Sequence, residues 1–323
     1  MSKVAHYLQE HLLGEVTASA EVRKHFATDA SILQLAPAIV VFPRNENDVR
    51  KTARFSWQLA ERGKVVPLTA RGGGSDTSGA AIGSGIILCF TAHMNRILAL
   101  DPAKEVITLE PGATFDKVEQ TLYTHGLFLP PYPVSQSYAT IGGGLANNCS
   151  GEKSIKYGSI RKYAQSLRVV LANGEVIETG PLSKRELSKK LGQANFEGEI
   201  YRTLDVLLED NADLIKTARA KQYARRNSAG YNIFDVKTSE GFDLTPLIIG
   251  SQGTLGIITE AIFKVVTHNP LTTQAMVSLY NQTDLADLLP KIIALRPSQL
   301  DMVNRAAIEN VRSINPPPNW QLA

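Results

Sequence analysis

Three glycine-dense segments contain the residues of this chain that are best suited to binding chemistry. They are RGGGSDTSG (residues 71–79), IGGGLANNCSG (141–151) and GSQGTLGII (250–258). Glycine has no Cβ, so backbone N–H groups in such segments can approach a ligand closely and point at it. One such segment would be an ordinary turn. Three of them, each beside an apolar run, predict one large phosphate-bearing ligand that contacts distant parts of the chain.

The common nucleotide-binding motifs do not fit these segments. The dinucleotide fingerprint G-x-G-x-x-G requires a third glycine, but its positions are occupied by Thr77 in the first segment and Asn147 in the second. The Walker phosphate loop requires Lys followed by Ser or Thr after its last glycine, whereas Gly79 is followed by Ala80 and Ala81. The sequence therefore supports neither NAD-type nor ATP-type binding.

Short apolar runs that are typical of strands flank the first segment, at Lys64–Thr69 and Gly85–Phe90. A loop between strands has no helix dipole, so main-chain amides must hold the anion there, with Arg71 as a charge partner. Nearby hydroxyl groups that could add hydrogen bonds are those of Ser75, Thr77 and Ser78. The second segment differs, because Thr140 is suited to cap a short helix whose N-terminus faces a phosphate. Two such loops suit a pyrophosphate.

The order of the motifs resembles a known family. RGGGSDTSG is followed by HGLFLPPYPVSQSYATIGGGLANNCSG, YGSIR, RRNSAGYN and GSQGTLGIITE. This order is similar to that of the FAD-binding oxidoreductases of the vanillyl-alcohol oxidase and PCMH type, particularly the D-lactate dehydrogenase and glycolate oxidase flavoprotein group. The resemblance covers roughly residues 26–267. It implies an α+β fold: a PCMH-type FAD-binding domain of two α+β subdomains, followed by an α+β, ferredoxin-like cap domain.

The resemblance also implies which residues contact FAD. The pyrophosphate would lie against Arg71, Gly72, Gly73, Gly74, Ser75, Asp76 and Gly79. Beside the diphosphate and flavin would run Ser135, Ser137, Thr140, Gly142 and Gly143, and the ribityl and ring region would be lined by Asn147, Ser150, Gly151, Tyr157 and Gly158. Backbone atoms nearby would come from Gly256 and Ile258. For the substrate carboxylate, the basic segment of residues 218–231 offers Arg226 and Asn227.

Two departures from the family pattern change these expectations. Gln252 stands where the family usually has glutamate, so a charge contact is lost although a hydrogen bond can remain. Some relatives attach FAD through a histidine beside the first glycine loop, but Ser75 occupies that neighbourhood here. We therefore predict noncovalent FAD. We predict no metal site, because the His-rich segment that holds the metal and catalytic base in the family has no counterpart in this sequence.

The expected reaction is oxidation of a D-2-hydroxy acid, such as D-lactate or glycolate, to the 2-oxo acid by hydride transfer to flavin N5. Without the His-rich segment the catalytic base is unknown, so the chain is expected to be a fragment or truncation that binds FAD and turns over slowly or not at all. Two alternatives remain open. The chain could be an FAD-carrying subunit that depends on a partner, or the same fold could act on another alcohol.

The expected partners are a small 2-hydroxy acid and an electron acceptor of unknown type: a quinone, a cytochrome or an electron-transfer flavoprotein. Lys and Arg total 34 against 31 Asp and Glu, a net charge of +3 that is too small to indicate nucleic acid binding. No apolar run is long enough to span a membrane, although peripheral association stays open. Cys89 and Cys149 form no C-x-x-C pair, and we expect a cytoplasmic protein.

Periodicity predicts the main elements. Helices are expected over Asn45–Arg62, Thr114–His125, Ile141–Asn148, Phe196–Lys216 and Thr283–Leu295, strands over Val106–Glu110 and Ala275–Tyr280, and a hairpin of Arg168–Leu171 with Glu175–Thr179 around Asn173 and Gly174. The predicted division is an N-terminal helical segment (1–35), the FAD-binding domain (36–267) and an incomplete cap domain (268–323).

Overall fold

The computed structural model describes residues 3–221, 227–281 and 283–314. The helices are α1 (Lys3–His11), α2 (Ala20–His25), α3 (Glu46–Glu61), α4 (Phe115–Tyr123), α5 (Ile141–Ala146), α6 (Ser154–Tyr157), α7 (Lys184–Leu191), α8 (Phe196–Asp210), α9 (Ala212–Ala220), α10 (Thr245–Ile248), α11 (Asp284–Ala294) and α12 (Arg305–Ile314). The strands are β1 (Glu15–Thr17), β2 (Ile39–Phe42), β3 (Leu68–Arg71), β4 (Ile86–Cys89), β5 (Ile97–Asp101), β6 (Val106–Leu109), β7 (Leu127–Phe128), β8 (Ala164–Val170), β9 (Val176–Glu178), β10 (Ile257–Lys264) and β11 (Val266–Thr267). A single 3₁₀ turn spans Ile160–Lys162.

The first sheet has the strand order β1-β2-β4-β3. Strands β2, β4 and β3 run parallel, and β1 is antiparallel to β2. The runs IVVF and IILC are almost continuously buried, as expected for parallel strands that are covered on both faces. Helix α3 packs beside this sheet through Val49 and Ala53, and it begins at Asn45, whose side chain accepts a hydrogen bond from the Asp48 N–H.

The second sheet is antiparallel and has the order β5-β6-β10-β8-β9. Its inner face carries Ile107, Leu109, Leu167 and Phe263, all almost fully buried. Helices α4, α5 and α8 contribute to the same core. A separate two-stranded pair joins β7 to β11.

The two sheets belong to one packed body. Val170 and Ile257, at the ends of β8 and β10, lie in the same core cluster as Ile86 and Leu88 of the first sheet. A polar connection crosses the same boundary, because Glu46 of α3 accepts hydrogen bonds from Arg168 of β8 and from Thr259 of β10. The first sheet and the second sheet are therefore held in one fixed relation around the loops that connect them.

Most predicted elements lie where the sequence placed them, and the α+β class is confirmed. Two predictions were wrong. The helix expected over residues 196–216 is two helices that break at Asn211, whose φ of −109° and ψ of 16° leave the helical region. The strand expected over residues 275–280 is irregular, because within the described residues no neighbouring strand pairs with it and Met276 and Tyr280 are exposed.

The two ends of the described chain differ in how they pack. The N-terminal segment is not helical throughout, since β1 joins the first sheet and Leu8 and Leu12 enter its core. By contrast, α11 and α12 bury none of their residues in the structure. No helix among the described residues is long and apolar enough to cross a bilayer.

Candidate functional site

A deep cleft lies where the loops of the two sheets meet. It measures about 980 Å³, including the part that opens to solvent, and its walls come from all three glycine-dense segments. Phe90, Pro111 and Pro133 add apolar wall. The structure thus brings the three distant segments together around one open cleft.

The first glycine-dense segment supplies unused main-chain donors to this cleft. It connects β3 to β4, and Gly74 takes a left-handed φ of +70°. Within the described part of the chain, no protein group accepts a hydrogen bond from the N–H groups of residues 72–76, all of which line the cleft. Consecutive N–H groups around such a turn form an anion-binding concavity. These five residues therefore fit a phosphate group.

The second segment contributes bare glycine surface rather than free donors. Thr140 caps α5 as predicted, accepting from the Gly143 N–H at 3.4 Å. The N–H groups of Ile141 and Gly142 donate to the Ala113 and Pro111 carbonyls at 2.8 Å each. The first turn of α5 therefore has its amides already bonded within the protein. What it offers a ligand is close approach, because Gly142 and Gly143 line the cleft without side chains.

The third segment is fastened to the end of α5. The Gly250 N–H donates to the Leu145 carbonyl at 2.9 Å, and the Gln252 N–H donates to the Ala146 carbonyl at 3.0 Å. Gln252 has a φ of +52°, a left-handed conformation that is uncommon for a residue with a side chain. Because Gln252 also lines the cleft, its neutral amide side chain is available to a ligand at the position where sequence analysis expected a lost charge.

Arg71 lies at the cleft wall, but the fold already uses its guanidinium. Nη1 donates to the Thr28 carbonyl at 2.9 Å and to the Ala81 carbonyl at 3.2 Å, and the guanidinium carbon lies 5.0 Å from the centre of the Phe26 ring. Arg71 is 8% exposed, and this burial lowers its pKa from the ordinary value. Its geometry ties the segment before β2 to the first glycine loop.

Asp76 also has protein partners, although its position was predicted as a pyrophosphate contact. Its Oδ2 accepts from the Ser78 N–H and hydroxyl, both at 2.8 Å, and from the Ala80 N–H at 2.9 Å. Its Oδ1 accepts from Asn147 Nδ2 at 3.2 Å. Burial acts to raise the pKa of Asp76, but these hydrogen bonds outweigh it and lower the pKa below the usual value, so the carboxylate is ionised at neutral pH.

Most of the predicted cofactor-binding residues share the cleft wall. Those that line it are Arg71, Gly72, Gly73, Gly74, Ser75, Asp76, Ser135, Thr140, Gly142, Gly143, Asn147, Gly256 and Ile258. Those that the structure places outside the wall are Gly79, Ser137, Ser150, Gly151, Tyr157 and Gly158. Tyr157 packs edge-on against Phe128, and its carbonyl accepts the Tyr163 hydroxyl, which gives it a structural role.

Several wall residues were not among the predicted site residues. These are Ala70, Ala80, Ala81, Phe90, Pro111, Pro133, Ala139, Gly144, Ala146, Cys149, Ser251, Gln252 and Gly253. Most are small or apolar and carry no chemical signature. For six of them, Gly144, Ala146, Cys149, Ser251, Gln252 and Gly253, the available signal was that they lie inside the glycine-dense segments.

The basic segment proposed for the substrate adjoins the cleft. Arg226 lies outside the described residues, and Asn227 is exposed and does not line the wall, its side chain accepting from the Ala229 N–H. Next to it, the Ser228 hydroxyl donates to the Asn148 carbonyl at 3.4 Å, and the Tyr231 hydroxyl lies 2.8 Å from that of Thr254. The segment after residue 226 is therefore held against the second and third glycine-dense segments.

The chain beyond the second sheet also returns toward the cleft. Glu152, next to the second glycine-dense segment, accepts from the Tyr132 hydroxyl at 2.8 Å and from Gln299 Nε2 at 2.7 Å. Tyr132 directly precedes the wall residue Pro133. Gln299 belongs to the stretch between α11 and α12, so this stretch contacts the rim of the cleft.

Comparison with known proteins identifies the domain. Residues 37–180 match the family described as FAD binding domain. Over these residues the chain is similar to that family, and FAD is its cofactor. The resemblance inferred from the motifs is thereby confirmed.

Curated relatives align with most of this chain. D-2-hydroxyglutarate dehydrogenase of Escherichia coli is 37% identical over 78% of this chain and 25% of its own length. Glycolate oxidase subunit GlcD of Bacillus subtilis is 31% identical over 88% of this chain and 50% of its own length. The chain therefore spans about a quarter of the dehydrogenase and half of the oxidase subunit.

A solved structure of alkyldihydroxyacetonephosphate synthase has the same fold. It aligns with a TM-score of 0.56 at 22% identity and covers 83% of this chain and 40% of that protein. At this identity the likeness supports the architecture alone.

Proposed function

We propose that the cleft holds FAD noncovalently, with the diphosphate against the N–H groups of residues 72–76. The observation that carries this proposal is that five consecutive residues line the cleft and that their main-chain N–H groups have no partner in the described part of the chain. The bare surface of Gly142 and Gly143 would face the same group from the opposite segment. Ser135, Asn147, Gly256 and Ile258 complete the proposed contacts.

We propose that the reaction is oxidation of a D-2-hydroxy acid to the 2-oxo acid. Bound flavin would supply the hydride-accepting chemistry, and the protein has to place the substrate carbon near the flavin and hold the substrate oxygens. The segment that follows residue 226 is positioned to do this, because it is fixed to Asn148 and Thr254 beside the cleft. Arg226 and Asn227 are the proposed carboxylate contacts. Among the relatives, those named D-2-hydroxyglutarate dehydrogenase favour a 2-hydroxy dicarboxylic acid as substrate.

The catalytic base is not assigned among the described residues. The relative named a glycolate oxidase subunit favours a second candidate function, in which this chain carries FAD and completes its active site with a partner. In either case an external acceptor, a quinone, a cytochrome or an electron-transfer flavoprotein, would reoxidise the flavin. We keep the proposed division into an FAD-binding domain at 36–267 and the start of a cap domain from 268, and the proposed cytoplasmic location.

Anaerobic flavin reduction tests both candidates. The purified chain is first titrated with FAD and its visible spectrum is recorded. D-2-hydroxyglutarate, D-lactate and glycolate are then added, with L-2-hydroxyglutarate as the matched control. Bleaching of the flavin band by a D-acid and not by the L-acid supports the dehydrogenase. Stable FAD binding without bleaching supports the partner-dependent subunit, and protein that takes up no FAD contradicts both.

A further inference from the structure

The carboxylate of Asp76 is unusual for its position, because it is an anion within a loop whose free amides face the proposed diphosphate site. Four donors surround it: the Ser78 N–H, the Ser78 hydroxyl, the Ala80 N–H and Asn147 Nδ2, at 2.8–3.2 Å. A carboxylate offers roughly four acceptor positions. The protein therefore supplies as many donors as Asp76 can accept, which leaves it no clear capacity to bind a hydroxyl group of the cofactor.

The bonds of Asp76 divide the loop into two halves. The N–H groups of Ser78 and Ala80 turn inward to Asp76 Oδ2, whereas those of residues 72–76 have no protein partner and line the cleft. Loop 72–85 contains no helix that could fix this arrangement. The second oxygen of Asp76 reaches Asn147, the residue that ends α5. One side chain thus folds the far half of the loop and ties the loop to the second glycine-dense segment.

We propose that the side chain of Asp76 positions the loop for diphosphate binding: its carboxylate does not contact FAD, and through Ser78, Ala80 and Asn147 it holds the amides of residues 72–76 toward the cofactor. The inference rests on the proposed function, because it requires FAD in this cleft. Asp76, which the sequence predicted as a pyrophosphate contact, would then act on the diphosphate indirectly. It also explains how an anion can stand beside a diphosphate, since its charge is met by four donors.

The test compares FAD with riboflavin, which has the same ring system and no phosphate, in fluorescence titrations of the full chain. Asp76→Ala should weaken FAD binding about tenfold or more, as expected for the loss of hydrogen bonds to a charged group. Asp76→Asn should stay within about threefold of the wild type, because its amide oxygen keeps the bonds of Ser78 and Ala80 and a flipped Asn147 side chain can accept from its NH₂ group. Riboflavin affinity should not change in either variant.

Two further variants isolate the link to α5 and the general effect of losing an acid. Asn147→Ala keeps the inward bonds of Ser78 and Ala80 and should weaken FAD binding less than Asp76→Ala does. Asp213→Ala, in the exposed first turn of α9, should leave FAD affinity unchanged. Hydrogen exchange of the Ser78 and Ala80 amides in the cofactor-free protein should be faster in Asp76→Ala than in the wild type or Asp76→Asn.

The inference is overturned if Asp76→Ala binds FAD as tightly as the wild type. It is also overturned if FAD and riboflavin weaken equally, which would indicate general loss of structure, or if Asp76→Asn is as poor as Asp76→Ala, which would indicate that charge alone matters. Wild-type protein that takes up no FAD would instead refute the proposed function itself.

Discussion

Two neighbouring glycines of α5, Gly143 and Gly144, are expected to respond in opposite ways to the same added methyl group. A Cβ atom on Gly144 would lie 2.5 Å from Phe115 Cζ, 2.7 Å from Phe115 Cε2 and 3.0 Å from Cys149 Sγ. A Cβ atom on Gly143 would meet only Thr140 Oγ1, 3.4 Å away, and Gly143 lines the cleft. The methyl group of Gly144→Ala therefore enters the core, and that of Gly143→Ala faces the proposed cofactor volume.

The expected magnitudes follow from these surroundings. Phe115 is 3% exposed and has little room to move. Overpacking of this kind costs about 1–3 kcal/mol, and the better helix propensity of alanine returns about 0.5–1 kcal/mol, so from the central values Gly144→Ala should lose roughly 1 kcal/mol of stability. Gly143→Ala should be as stable as the wild type or up to about 1 kcal/mol more stable. Its FAD affinity should fall roughly tenfold or more, because the same overpacking then acts on the cofactor.

Urea unfolding of the cofactor-free proteins, followed by circular dichroism, measures the first effect, and FAD titration measures the second. The two variants are matched controls for each other, since they add the same group to adjacent positions of one helix. The reasoning would be refuted by a Gly144→Ala protein with wild-type stability, or by a Gly143→Ala protein with wild-type FAD affinity.

Three other predictions concern the fold and the cofactor. Glu46→Gln should destabilise the protein by about 1 kcal/mol, because it weakens a half-exposed ion pair with Arg168 across the two sheets; urea unfolding measures this, and Glu61→Gln in the last turn of α3 is the control. Burial acts to raise the pKa of Glu46, but the Arg168 and Thr259 bonds lower it below the ordinary value of 4.5. The stabilisation from Glu46 is therefore present above pH about 4.5 and is lost as the pH falls further. A pH series in which the stability difference between wild type and Glu46→Gln does not change would contradict this. Arg71→Met should destabilise the fold even without FAD, by about 1–3 kcal/mol, because two carbonyl groups lose a charged donor, and unchanged unfolding of the cofactor-free variant would argue against this. Acid precipitation should release all FAD into the supernatant, and a yellow pellet would show covalent attachment.

Local signals predicted the elements that frame the site. Thr140 caps α5 as expected, and the helices predicted to begin at Asn45 and Thr114 are capped by those residues, since a cap depends on hydrogen bonds to residues two or three positions away. The hairpin of β8 and β9 turns at Asn173 and Gly174, where Gly174 takes a φ of +80°. The exception was Asn211, where the backbone leaves the helical region within an apolar helical pattern that the sequence continues.

The sequence by itself determined the fold class, the glycine-dense segments and the kind of ligand they suit, because these follow from residue type and short-range spacing. Only the tertiary structure decided what each polar group in those segments does. Arg71 bonds to Thr28, and Asp76 bonds to Asn147, at separations of 43 and 71 residues. A hydrogen bond occupies a donor and an acceptor however many residues separate the two partners in the sequence. Which amides stay free for a phosphate therefore depends on contacts that no local pattern encodes.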